Sequence, residues 1–237
     1  NPFSSGSQIT SLGHNGFEVS LNYISGIPDP NIILDPHLKV IFKSLMKKDH
    51  TTKEKVLNEL LQILSNGSSV HMLDDLVVIT WVQLYAKLSI DSSKNVRSMS
   101  HQVQSRFVVL LGKNYAKYLK DTTPLWLTGL FDPERLVSKT TTTSLIDAFK
   151  VQEKVDSLWI VFHKQILNYC YQFLKFEQKD TLSDERFVGK EKAELKFIRV
   201  CSCCLRILNH LIQLKNLEMD DETTKDFKKI FKIDQLW

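Results

Sequence analysis

The chain has 237 residues, 43% of them hydrophobic, and 31 Lys and Arg against 27 Asp and Glu give it a net charge of +4. That length and apolar content can build a sizeable core in one large or two modest domains. No apolar run approaches the roughly 18 residues of a membrane span and none has the form of a secretory leader, so neither is expected from the residues given. The charge is uneven. Residues 1–38 hold Glu18, Asp29 and Asp35 and no Lys or Arg. Residues 92–120 hold Lys94, Arg97, Arg106, Lys113, Lys117 and Lys120 and no Asp or Glu. Such asymmetry points to an anionic partner for the second stretch.

The first 34 residues differ from the rest. Gly13, Gly16, Gly26, Pro28 and Pro30 punctuate them and disfavour helix. Phe17, Val19, Leu21 and Tyr23 alternate with Glu18, Ser20 and Asn22. That is the period of an extended segment with one apolar face. A lone extended segment is not stable, so this arm is expected to pack on its own domain. The turn Gly13-His14-Asn15-Gly16 would stay exposed.

From Asp35 the periodicity is helical. Leu38, Ile41, Phe42 and Leu45 recur at helical spacing, and Pro36 suits a first turn. Val56, Leu57, Leu60, Leu61 and Leu64 repeat the pattern in a second helix. Thr51 and Glu54 have capping-box spacing for its start, and Asn66-Gly67 would end it. A third helix is expected over 74–89 and a fourth over 93–112. The next segment should break or bend near Pro124. Thr140 to Thr143 are β-branched and poor in helices, so a break is expected there, with Ser144 and Asp147 capping a restart. Residues 151–176 and 190–217 read as long helices, 177–190 as a polar loop and 221–233 as a last short helix. No strand alternation follows residue 35, so the class is all-α.

Asp49, Asp91 and Asp132 each close an apolar helix and open a turn into the next. A period of about 40–47 residues is that of HEAT or armadillo-like helix pairs. Asp91 with Arg97 resembles the HEAT turn, in which Asp–Arg pairs tie neighbouring repeats. By alignment Lys55 stands where Arg97 does, while Glu54 replaces the valine and Ser138 the arginine. The expected architecture is an α-solenoid, with an arm at 1–34, helix pairs at 35–150 and further helices continuing the stack at 151–237. The chain begins on Asn1, and "FKKIFKIDQLW" at its end is still amphipathic, so a longer parent protein is expected.

No phosphate loop, dinucleotide glycine pattern or nucleophile elbow is present, and the seven histidines are scattered. No active site is expected. Cys201, Cys203 and Cys204 cluster, with Cys170 apart. Without a second ligand pair they read as buried, reduced thiols rather than a zinc site, which fits a cytosolic or nuclear setting. Arg97, His101 and Gln104 share one helix face, with Lys113, Lys117 and Lys120 extending the charge. Lys47, Lys48, Lys53 and Lys55 surround the first turn. Aligned on one solenoid edge with Lys94 and Arg97, beside helix N-termini, these cations would suit phosphate, in salt-sensitive contacts of shape rather than sequence. An ordinary solvated edge is the competing reading.

"LKVIFKSLMKKDHTTKEKVLNELLQIL", at 38–64, resembles the start of the listerin family of RING-type E3 ubiquitin ligases, above all in Phe42-Lys43-Ser44-Leu45, Lys47-Lys48-Asp49 and Thr51-Thr52-Lys53. "WVQLYAKLSIDSSKNVRSMSHQ" and "YAKYLKDTTPLWLTGLFD" resemble the following listerin segments, and "LGHNGFEVSLNYISGIPDP" the fungal leader. The resemblance covers about residues 10–150. It implies an elongated HEAT-like protein that binds large ribosomal subunits carrying stalled nascent chains, together with the quality-control partner that holds the peptidyl-tRNA. It implies a cytoplasmic setting and no membrane or small-molecule substrate. The RING's Cys/His pairs are absent from this sequence, so this would be the docking end, with zinc and ubiquitin transfer belonging to the RING and no cofactor here. The implied contact residues are Lys47, Lys48, Asp49, Thr51, Thr52 and Lys53, then Arg97 and His101, with Gly13, His14, Asn15 and Gly16 as a second element. The alternative is a scaffold solenoid that binds protein partners and has no ribosome role.

Overall fold

A computed structural model describes Leu21, residues 26–183 and residues 188–234, without the side chains of 67–69. The described residues form helices and no strand: an all-α solenoid. Three antiparallel pairs make its body. The first is α1 (Pro36–Leu45) with α2 (His50–Ser65). The second is α3 (Asp75–Leu88) with α4 (Lys94–Leu111), and the third α5 (Leu119–Thr128) with α6 (Arg135–Phe149). The first helices of the pairs, α1, α3 and α5, pack side by side in one layer, and α2, α4 and α6 in the other. The core between them is built from Phe42, Leu57, Trp81, Tyr85, Phe107 and Trp126, all fully buried. At about 25 cal/mol per Å² of apolar surface, these large side chains supply the main drive for stacking.

Caps fix the helix starts. Asp35, Asp74 and Ser93 each accept from the backbone N–H three residues on, and Pro36 occupies the first turn of α1. Gly112 closes α4 at φ 52°, a conformation that side chains disfavour. Asp49 caps α2, accepting from the Thr52 amide at 2.7 Å and hydroxyl at 2.6 Å. The Thr51–Glu54 capping box does not form. Glu54 turns instead toward the second junction, where it accepts from the Ser93 hydroxyl (2.8 Å) and the Asn95 amide (3.2 Å).

Two positions expected to interrupt helices lie inside them, and one break occurs where none was expected. α5 runs on through Pro124, which is buried beside Leu125 and Trp126. α6 runs unbroken through the threonines. Thr141, Thr142 and Thr143 each return their hydroxyl to the carbonyl four residues back, and Thr141 is packed inside, so tertiary burial overrides a weak propensity. Ser144 and Asp147 therefore lie within the helix and cap nothing. The expected long helix at 151–176 is divided into α7 (Gln152–Val161) and α8 (His163–Phe176). The His163 ring donates to the Ile160 carbonyl at 2.7 Å, so a side chain intrudes on the helical ladder at Phe162. The polar loop holds a single turn of helix, α9 (Lys179–Leu182).

The last helices are α10 (Lys190–Gln213) and α11 (Asp221–Phe231). α8 packs on α5, α10 on α8 and α5, and α11 on α8. Arg199 of α10 reaches back and donates to the carbonyls of Ile90 (2.6 Å) and Asp91 (2.9 Å). Cys170, Cys203 and Cys204 are buried and Cys201 is half-buried, all as free thiols. Burial pushes Cys201 and Cys203 up to about 12, which leaves them unreactive. Of the expected extended segment, Leu21 alone falls among the described residues. It is buried, and its N–H donates to Glu177.

Candidate functional site

The junctions within the three pairs align along one edge, and each carries its aspartate. At the first, Lys47, Lys48, Asp49 and Thr51 are exposed and Thr52 is half-buried. The hydrogen bond from the Thr52 side chain holds the Asp49 carboxyl below its ordinary value. Its carboxylate already serves the opening of α2, and Ser93 serves that of α4. The N-termini of α2 and α4 are thus occupied by the protein's own caps, and an anion arriving at those two junctions would meet lysine charge rather than bare amides; Glu134 at the start of α6 makes no side-chain cap hydrogen bond.

Lys53, Arg97 and His101 present no surface on that edge, and their expected role as partner contacts is corrected by their burial. Lys53 is 3% exposed, and its amine meets Asp91 at 2.6 Å. His50 approaches the other oxygen of Asp91 at 3.1 Å. Burial raises the Asp91 carboxyl, but His50, Lys53 and Lys196 outweigh it and hold it well below the carboxylate range. Arg97, 1% exposed, forks onto both carboxylate oxygens of Asp132 at 2.7 and 3.1 Å. It also donates to the Asp91 and Ser92 carbonyls. The cation of each pair thus bonds the aspartate of the next: Lys53 to Asp91, Arg97 to Asp132. Lys53, not Lys55, holds the equivalent of the Arg97 position, and Lys55 is exposed.

His101 has no exposed surface, and its Nδ1 lies 2.8 Å from the Tyr85 hydroxyl. Burial pulls it down to about 3, so it is neutral at pH 7. Gln104 takes hydrogen bonds from Trp81 and Tyr115. The shared face of Arg97, His101 and Gln104 is the inner face of α4, which also carries Val96, Val103 and Phe107. That interleaving was the signal that the face is interior.

The exposed Lys and Arg on the edge are Lys47, Lys48, Lys55, Lys94, which lies 3.5 Å from Glu134, and Arg135 at the start of α6. Lys113 and Lys117 lie past the far end of α4, about 27 Å away for an 18-residue helix. Lys117 is paired there with Asp75 at 2.9 Å. The basic stretch 92–120 is therefore not one patch: Arg97 is internal, Lys94 opens α4, Arg106 lies along it, and Lys113, Lys117 and Lys120 lie past its far end. Gly13, His14, Asn15 and Gly16 lie outside the described residues. Among the described residues no group of three His, Cys, Asp or Glu could hold a metal ion, and no helix is long and apolar enough to cross a membrane.

Residues 33–237 match the family model for the N-terminal domain of E3 ubiquitin-protein ligase listerin. The chain belongs to this family. It is 38% identical over 95% of its length to the E3 ubiquitin-protein ligase listerin of Saccharomyces cerevisiae, of which it covers 15%. It is 32% identical over 92% of its length to that of Neurospora crassa, covering 13%. To that of Mus musculus it is 30% identical over 90% of its length, covering 12%. The chain thus spans about one seventh of the longer relatives.

Proposed function

We propose that this chain is the docking module through which a listerin-type ubiquitin ligase engages stalled large ribosomal subunits in the cytoplasm. The observation that carries the reading is the first junction. It holds the residues that resemble the family most closely, and it exposes Lys47 and Lys48 while Asp49 and Thr52 complete the cap beside them. Lys47 and Lys48, with Thr51 and Thr52 and flanked by Lys55 and Lys94, form a compact cationic edge for ribosomal RNA phosphate. The quality-control partner that holds the peptidyl-tRNA is the second macromolecule such an edge would meet. Ubiquitin transfer and its zinc belong to a RING elsewhere in the parent protein. Lys53, Arg97 and His101 act by holding the edge in shape.

The test is cosedimentation of the chain with large subunits at two salt concentrations, for the wild type and a Lys47→Glu/Lys48→Glu variant. The wild type is expected to pellet with subunits and to weaken as salt rises, and the variant to stay in the supernatant. Equal binding by both would remove the lysines from the contact. No binding by the wild type would remove the docking role.

A further inference from the structure

Where α2, α4 and α6 lie side by side they form an open groove of about 1000 Å³, which meets the third junction at Arg135 and includes none of Lys47, Lys48, Lys55 and Lys94. Arg106 of α4 and Arg135 and Lys139 of α6 line it. All three are exposed. None makes a side-chain ion pair or hydrogen bond with another described residue, in contrast to Lys94, Lys117 and Lys164 on other faces, which meet carboxylates. The groove has one carboxylate, Asp147, which lies about 18 Å along α6 from Arg135 by helix rise. The end at Arg135 and Lys139 is therefore cationic without a counter-charge among the groove residues, whereas Arg106 lies toward the Asp147 end, since Ser98 of α4 is level with Thr140 of α6.

The remaining lining defines the partner. Asn58 and Gln62 stand one turn apart on α2, and Gln102 stands one turn before Arg106 on α4. Each amide both donates and accepts, as does the backbone of an extended peptide. Leu61 and Leu136 add apolar surface between them. No aromatic side chain lines the groove, whereas single-stranded nucleic acid binds on aromatic stacking platforms. Three helices at 8–10 Å spacing span about 20 Å, which an extended chain crosses in about six residues.

We propose that this groove is a peptide-binding site for an extended acidic segment of a partner protein. Arg106, Arg135 and Lys139 face the segment's carboxylates, and Asn58, Gln62 and Gln102 face its backbone. This contact uses none of the lysines of the first junction and adds a protein ligand to the docking module proposed above.

The test is fluorescence anisotropy with a labelled Glu-rich peptide of about ten residues, long enough to overhang both ends. The whole chain should bind it, and Arg135→Glu/Lys139→Glu should weaken binding roughly tenfold or more, as expected for charge reversal at paired sites. Asn58→Ala/Gln62→Ala, on a different helix, should weaken it with the charge unchanged and serves where the reversal harms folding. Lys47→Glu/Lys48→Glu should bind the peptide as the wild type does, so failure of this proposal and of the docking reading are read separately. The proposal is overturned if the wild type does not bind the peptide, or if both groove variants bind as the wild type does. It is also overturned if a neutral peptide of equal length binds as well, or if single-stranded RNA binds more tightly through the same residues.

Discussion

The first and second junctions open on the same residue type and use it in opposite ways. Asp49 is exposed and spends its carboxylate on its own helix, accepting from Thr52. Asp91 is buried and receives Lys53 and His50 from the preceding pair and Arg199 on its carbonyl from a helix over a hundred residues later. The difference follows from position in the stack. A cation from one pair can reach the aspartate of the next, so an aspartate with a described pair before it is drawn into the interior ladder. Asp49 has none among the described residues and stays wet. The same argument separates the lysines: Lys53 belongs to the ladder, while Lys47 and Lys48 lie exposed at the first junction. An exposed ion pair such as Lys94–Glu134 contributes about 0–1 kcal/mol, whereas removing one member of a buried pair costs about 3–5 kcal/mol. The two buried junctions therefore carry stability, and the exposed first junction contributes little to it.

Breaking the ladder should have the largest effect. Arg97→Ala strands the Asp132 carboxylate in the core and is expected to destabilise the chain by about 3–5 kcal/mol in urea unfolding. A loss below about 1 kcal/mol would show that water reaches that junction. The pH dependence comes next. His101 titrates at about 3 when folded and near 6.5 when unfolded. Between those values the unfolded chain binds the extra proton, so stability falls as pH drops from about 6.5, by at most about 1.4 kcal/mol per unit. His101→Gln should flatten that slope in melts between pH 6.5 and 4.5. Below about pH 4, the approach to the depressed Asp91 carboxyl adds a further loss, since its stabilisation is present above the unfolded value and disappears as the folded one is approached.

A smaller effect is expected at Gly129. A methyl group there would sit 2.5 Å from His101 Nε2 and from the Thr141 hydroxyl. Gly129→Ala should therefore cost about 1–3 kcal/mol by overpacking, measured as a lower urea midpoint. Smallest of all, Lys47→Glu/Lys48→Glu should shift stability by about 0.5 kcal/mol or less even as subunit binding is lost. A large shift in that variant would dissolve the contrast between the two junctions.

What was legible in the sequence was local. Pro36, Ser93 and Gly112 mark helix ends through caps that involve only a few neighbouring residues, and the α3 and α4 limits fall within a residue or so of expectation. The recurrence of Asp49, Asp91 and Asp132 revealed the stack, because each junction solves the same problem. What was hidden depended on partners distant in the chain. The threonine run reads as a breaker until α4 packs on it, with the Ser98 hydroxyl donating to Thr140 across 42 residues. Lys53 reads like its neighbours, since only the third dimension brings Asp91 to it. Arg97 was legible as an Asp–Arg tie between repeats, the role its bonds to Asp132 fill, yet it also read as an edge cation, and His101 as a contact residue, although both alternate with the valines that face the core. The groove cations left a faint trace: Arg135 and Lys139, Asn58 and Gln62, and Gln102 and Arg106 each sit four residues apart, the signature of a shared face.

The reach of Arg199 to the carbonyls of Ile90 and Asp91 bears on the order in which the molecule is made. A helix-pair stack can close each unit as its own two helices emerge from the synthesising machinery, because its contacts are mostly with neighbours. Here the second junction gains its final donor only after α10 has been translated, over a hundred residues later. During synthesis the first two pairs must persist with those carbonyls hydrated, and the finished chain acquires a clasp that ties its late segment to its early one. The maturation of the lysine edge thus ends with the last helices rather than with the residues that compose it.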